Sequence, residues 1–360
     1  MKVFNGCCDE CFADKHLKDL IRKQGVQGYC DYCKSDRQYC FDPLTLRKLF
    51  EPIVGLYVSV EDVLTGEELG EYNDGDMLFE LFTHEWQIFS EENKNSQTLL
   101  TDIFTNDDRK EPRAPHIFHA YVEPTENFWD EENQYSENFI KTWKKFKKDI
   151  QHRNRFTNKL NLEEFFSYNT TVLRVGRHFC RARLNSRNKK FKNSEMGRPP
   201  VKKSNSGRCN PSGISYLYLA SDAETAAAEI KPYVGEYLTI GKFETKRELK
   251  ILDMRRPGVD SPFIYGDGLK LALESFRVLR YLSSELSKPI TPGKSDLDYL
   301  PTQFFCEKVK HQKFDGIYYR SSLASGYNLV LFSPKYVNCF ETTLEKIKEI
   351  KIKMEGIFEL

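Results

Sequence analysis

No run of 18 or more apolar residues occurs in this 360-residue sequence, so nothing in it is built to cross a bilayer as a helix. The N-terminus, Met1-Lys2-Val3-Phe4-Asn5, leads directly into cysteines and acids without the apolar core of a signal peptide. A soluble, cytoplasmic protein with no membrane partner is therefore expected. The formal net charge is only +1, which removes the global excess of Lys and Arg that a nucleic-acid binder uses to neutralise phosphates. Common catalytic and nucleotide signatures are also missing. There is no H-E-x-x-H and no G-x-S-x-G. Gly293-Lys294-Ser295 has no glycine five residues earlier and reads as a turn, not a P-loop. Gly266-Asp267-Gly268 lacks the third glycine and the preceding strand of a dinucleotide fingerprint. Arg113 and His119 stand six apart where a helical ribonuclease dyad needs five.

Cysteine is unevenly distributed. Six of the ten cysteines fall within residues 1–40, a stretch with too little apolar periodicity to bury a core alone. Cys8-x2-Cys11 and Cys30-x2-Cys33, with 18 residues between them, have the spacing of a tetrahedral thiolate zinc site. In a reducing compartment that pattern favours a metal over disulfides. Four sulfur ligands leave no open coordination position, so the Zn2+ would be structural, with folding coupled to binding. Cys7, Cys40 and His16 are alternative ligands.

The length suits more than one domain. Three segments are expected: a zinc ribbon over 1–41, a mainly helical domain over 42–165, and an α+β domain over 166–360. Asp42-Pro43 reads as a cap followed by proline at the first helical position. Met77, Leu78, Leu81, Phe82 and Phe89 mark one apolar helix face, and Phe139, Ile140, Trp143 and Phe146 another. Beyond residue 166 short strands are expected at 171–175, 215–220, 236–243, 249–253, 315–319 and 328–332, with helices at 222–230, 268–287 and 300–310. A basic loop spans roughly 185–207, including Arg187. This interleaving suggests a mixed sheet, not a doubly wound parallel one.

The most informative block is G-R-C-N-P-S-G-I-S-Y-L-Y-L-A at 207–220, followed by S-D-A-E-T-A-A-A-E at 221–229. A Gly/Pro/Asn-rich loop carrying Arg208 runs into an aromatic strand with Tyr218 and then an alanine-rich helix ending at Glu229. Ser221 and Glu224 have the spacing of a capping box, and Lys231-Pro232 closes the helix. Glu229 sits in the last turn, where the helix dipole disfavours a negative charge by up to about 1 kcal/mol. A carboxylate in an unfavourable place points to function.

Together with F-C-R-A-R at 179–183 and S-S-x3-G-x-N-L-V-L-F at 321–332, this block resembles the RES-domain family, NAD-degrading toxins of toxin–antitoxin modules. The resemblance covers roughly 170–335. Residues 1–165 are similar to the zinc-containing helical extension of some members. The resemblance implies a fold similar to ADP-ribosyltransferase toxins, cleavage of the nicotinamide–ribose bond of NAD+, and an antitoxin or regulatory protein as partner. Carried over by position, Arg181 and Arg208 match the family arginines, Tyr218 and Glu229 the tyrosine and glutamate, and Ser321 or Ser322 the serine. Arg183 lies beside Arg181 as a further cation for NAD+.

The chemistry suits these groups. Cleaving an N-glycosidic bond develops positive charge on the ribose, which a carboxylate such as Glu229 stabilises. Guanidinium groups bind a diphosphate through fixed, always-charged contacts. Tyr218 is expected to stack on nicotinamide and Ser321 to orient an amide or ribose oxygen. The acceptor is left open: water or phosphate in a glycohydrolase or phosphorylase, a macromolecule in an ADP-ribosyltransferase. A rival from another class is a zinc-ribbon recognition module whose C-terminal domain has lost catalysis.

Overall fold

The computed structural model describes residues 5–66, 69, 76–105, 116–125, 135–156, 160–185, 188–288 and 296–350. Arg113, Arg187 and the turn at 293–295 lie outside the described residues. The chain divides into two compact units, Met1–Tyr135 with Val259–Glu274, and Ser136–Gly258 with Ser275–Leu360. These limits differ from the expected boundaries at 41 and 165. Residues 5–41 have no core of their own, since Cys11, Phe12, Leu17 and Ile21 bury together with Phe50, Phe82, Phe89 and Phe263. The helix carrying Trp143 instead belongs to the second unit, where Phe139 meets Phe165 and Phe166 meets Phe305.

In the first unit, strands β1 (Asn5–Cys8), β2 (Val26–Cys30) and β3 (Ser35–Phe41) pair with one another around a closed three-stranded arrangement. Helix α1 (Lys15–Gln24) is capped by Asp14, whose side chain accepts from Leu17 N, and buries Leu17 and Ile21. Asp42 caps the turn Pro43–Leu46, as its sequence implied, and leads into α2 (Arg47–Val54). After β4 (Tyr57–Ser59) and α3 (Val60–Val63) come β5 (Asp76–Met77), α4 (Leu78–His84) and α5 (Ser96–Phe104). Strand β6 (Tyr121–Pro124) then lies between β4 and β5.

The second unit opens with α6 (Tyr135–His152), whose Trp143 and Phe146 are buried. It contains a mixed eight-stranded sheet. The strands are β7 (Thr170–Leu173), β8 (His178–Asn185), β9 (Leu217–Ala220), β10 (Tyr237–Thr245), β11 (Leu249–Met254), β12 (Gly316–Arg320), β13 (Tyr327–Leu331) and β14 (Val337–Lys346). Their spatial order is β14-β10-β8-β9-β13-β12-β11-β7, antiparallel except for β11 beside β12. Helices α7 (Ala223–Glu229), α9 (Leu300–His311) and, from Ser275 onward, α8 (Leu269–Ser287) complete the pattern. Alternation along the strands sorts Phe179, Leu219, Phe243 and Leu329 into one apolar cluster, and Ala182, Ala220, Leu238 and Ile240 into another.

One seam in the sheet is incomplete. β8 pairs with β10 from Asn185↔Tyr237 to His178↔Glu244, but meets β9 only at Cys180↔Ala220. The sheet is therefore split beside that pair, which leaves room for side chains between β8 and β9. No described helix is long and apolar enough to cross a membrane.

Candidate active site at the split in the sheet

Helix α7 begins differently from its sequence reading. Asp222, not Ser221, is the N-cap: its carboxylate accepts from Thr225 N at 2.7 Å and from Thr225 Oγ1 at 2.8 Å. Ser221 Oγ donates to Asp222 Oδ2 at 2.6 Å and accepts from Tyr327 N at 3.1 Å, tying the helix start to β13. Burial opposes the charge of Asp222, but the hydrogen bonds from Ser221 and Thr225 outweigh it and hold the carboxyl below its usual range. Lys231, at φ 47°, takes the left-handed conformation that ends the helix before Pro232. A Cβ on Gly326 would collide with Thr225 Oγ1 and Ser221 Oγ. Gly326→Ala is expected to lower stability by about 1–3 kcal/mol through overpacking of this cap, read as a lower denaturation midpoint.

Alanines at 226 and 227 let α7 lie close to Ala182 and Ala220 of the sheet. The last turn then carries Glu229 within reach of two distant residues. Ser321 Oγ donates to Glu229 Oε1 at 2.7 Å, and Asn328 Nδ2 donates to the same oxygen at 2.7 Å. Oε2 has no donor among the described residues. Glu229 and Asn328 line a cavity of about 220 Å3 with Arg181, Tyr218, Ala220 and Tyr319.

Arg181 reaches across the split. Its Nη1 donates to the carbonyl of Tyr218 at 3.1 Å, while its buried Nε has no partner among the described residues. Burial, with Arg183 nearby, pulls the guanidinium down to about 10, still cationic at neutral pH. Tyr218 lines the cavity, but its hydroxyl is engaged elsewhere. It donates to Asn210 Oδ1 at 2.6 Å and accepts from Cys209 N at 3.3 Å. Burial pushes this phenol well above its usual range. Asn210 in turn donates to the carbonyls of Asn205 and Ile214, and Gln303 Nε2 donates to those of Gly207 and Asn210. Tyr218 thus anchors the Gly/Pro loop in addition to lining the cavity. Tyr218→Phe is expected to cost about 1–3 kcal/mol of stability, because the loop loses its acceptor and a buried Asn is left short of a donor. Thermal melting checks this.

Other expected site residues are placed apart from this cavity. Arg208 does not line this cavity: Nη1 donates to the carbonyl of Leu286 at 2.7 Å and to that of Lys288, beyond the end of α8. Its Nη2 donates to Ser322 Oγ at 3.2 Å. The two candidate serines therefore serve different partners, Ser321 with Glu229 and Ser322 with Arg208. Arg183 donates to the carbonyl of Glu195 and covers the ring of Phe191 at 4.2 Å. In the basic loop, Lys190 Nζ donates to the carbonyl of Thr342 at 3.0 Å. Asn328 and Tyr319 were not singled out from sequence. A buried Asn in the otherwise apolar run 328–332 was the available signal for the first; nothing local marks the second.

A second cavity, of about 520 Å3, lies among Asp253, Arg255, Arg256, Arg320, Ser321 and Tyr327. Arg255 is paired with Asp253, Nε to Oδ1 at 2.9 Å. Residues 178–347 match the family described as RES domain. The matched segment runs from β8 to β14 and includes every residue that lines the two cavities. No curated protein matches the chain. Among solved structures it is similar to a chain in the crystal structure of the M. tuberculosis MbcT-MbcA toxin-antitoxin complex. Identity is 12%, over 51% of this chain and 92% of that one, with a TM-score of 0.30.

In the first unit the sulfurs of Cys8, Cys11, Cys30 and Cys33 all lie within 4.8 Å of one another. Cys8 is 3.7 Å from Cys11 and 3.6 Å from Cys33, and Cys11 is 3.4 Å from Cys30. With Zn–S bonds of about 2.3 Å, tetrahedral ligands stand about 3.8 Å apart, so the quartet fits the ion. Cys7, Cys40 and His16 are not in this group. The Cys7 thiol donates to the carbonyl of Phe41, and burial pushes it well above its usual range, as it pushes Cys40 up to about 11.

Proposed function

We propose that the RES domain cleaves the nicotinamide–ribose bond of NAD+ as a glycohydrolase or phosphorylase, and that the protein acts as an NAD+-depleting toxin in the cytoplasm. The observation that carries this reading is the Glu229 carboxylate, held through one oxygen by Ser321 and Asn328 at a cavity that Arg181, Tyr218 and Tyr319 also line. In the proposed reaction the C1′–N bond breaks and its electron pair leaves with neutral nicotinamide. Positive charge then builds on C1′ and the ring oxygen of the ribose, and the fixed carboxylate stabilises it without reorganising. Water or phosphate adds at C1′, losing its proton to solvent in the case of water. Arg181 would meet a negative part of the substrate, and the Tyr218 and Tyr319 rings would pack against its flat groups.

The fold is read as ADP-ribosyltransferase-like in its catalytic unit, and Zn2+ at Cys8, Cys11, Cys30 and Cys33 as a structural ion that ties α1 and the first strands together. An antitoxin or other regulatory protein is the proposed macromolecular partner. The test is to incubate the full chain with NAD+ and follow free nicotinamide. Release with ADP-ribose or its 1-phosphate as co-product supports the reading; no release overturns it.

A further inference from the structure

We propose that the 520 Å3 cavity beside Ser321 is the diphosphate subsite, with Arg256 and Arg320 as its cations. The proposal rests on the NAD+ reading of the Glu229 cavity. The arginines expected to hold the diphosphate have other partners: Arg208 the carbonyls of Leu286 and Lys288, Arg183 the carbonyl of Glu195 and the ring of Phe191. Arg181 remains at the first cavity, but that space, about 220 Å3, is smaller than the roughly 300 Å3 at which ligand pockets begin. A dinucleotide needs more room.

Ser321 joins the two spaces. It lines the larger cavity while its hydroxyl donates to Glu229 at the edge of the smaller one. In the proposed placement, a ribose held at Glu229 turns its phosphate side toward Ser321 and the larger cavity. The larger cavity is lined by three guanidinium groups against one carboxylate. Asp253 is taken up by Arg255, which also lies 4.5 Å from the ring centre of Tyr318 and 4.6 Å from that of Tyr327 and so forms a fixed wall. Arg320 is tethered by Nε to the carbonyl of Arg255 at 2.7 Å, leaving its Nη atoms without partners among the described residues. Arg256 has no partner among them at all. Arg256 and the Nη atoms of Arg320, in a cavity also lined by Ser321 and Ser325, match the two negative charges of a diphosphate, which arginine recognises in forked geometry.

The test measures ADP binding by calorimetry and the KM for NAD+ on the full chain, comparing wild type with Arg256→Gln and Arg320→Gln. Each Gln variant is expected to raise both the Kd for ADP and the KM about tenfold or more, the scale of one charge-assisted contact, with kcat nearly unchanged. Arg256→Lys should recover most of the affinity, which separates charge from folding. Wild type that does not bind ADP, or Gln variants with unchanged Kd and KM, overturn the subsite. Nicotinamide release with unchanged KM in the variants overturns the subsite alone. Arginine-dependent ADP binding by a wild type that releases no nicotinamide supports the subsite and overturns the NAD+-cleavage reading.

Discussion

Glu229→Gln is expected to lower nicotinamide release from NAD+ by about 10²–10³-fold or more, the range lost when one preorganised charge-stabilising group is removed from a transition state. The substitution is close to isosteric. Its amide oxygen can still accept from Ser321 and Asn328, so the two 2.7 Å hydrogen bonds and the position of α7 should survive. Only the charge is lost. The fall should appear in kcat and kcat/KM together, because the carboxylate acts on charge that exists only as the C1′–N bond breaks. Matching melting curves establish that folding is intact, and chromatography of nicotinamide gives the rate. A variant within tenfold of wild type would remove Glu229 from the mechanism while leaving the cavity itself in place.

The second large effect is expected in the first unit. The purified protein should carry one equivalent of zinc, and Cys11→Ser or a strong chelator should remove it and unfold residues 5–41 together with the core they share. Apparent binding free energies of structural zinc sites, about 10–16 kcal/mol in small peptides at neutral pH, exceed the usual stability of a domain. Without the ion, four thiols remain packed together, with only weak S–H contacts to offset their crowding. Cys11, Phe12, Leu17 and Phe50 belong to one cluster, so the loss should spread beyond the strands that carry the ligands. Elemental analysis and melting with and without chelator check this. Metal-free protein that melts as the untreated protein does would overturn the zinc assignment. No zinc ligand lines either cavity, so chelation removes no group from the proposed chemistry.

Local features were legible in advance. The strand at 217–220, helix α7, the long helix 269–287 and the strands at 316–320 and 327–331 lie within a few residues of where alternation, caps and Gly/Pro punctuation put them. Residues 179–183 fall in none of the strands expected from sequence, yet they are the body of β8. Two arginines among small residues give little β signal, and pairing along β10 overrides that propensity. The sequence places the cap one residue early because Ser221 and Asp222 are both good N-caps, and the contacts of Thr225 N with Asp222 and of Tyr327 N with Ser221 decide between them.

The sequence by itself determined the features that depend on residues a few positions apart. These are the two C-x2-C knuckles, the closure of α7 at Lys231-Pro232, the apolar faces, and the motif that marks a RES domain. Tertiary structure decided which side chains share a space. Ser321 and Glu229 are 92 residues apart, Asn328 and Glu229 are 99, and Arg208 reaches the end of α8 over 78. No local period encodes such pairs. They result from strand order, and from the split where β8 leaves β9 after a single pair, which opens a cavity for Arg181 and Glu229 while Arg208 is drawn to the unsatisfied carbonyls at a helix end.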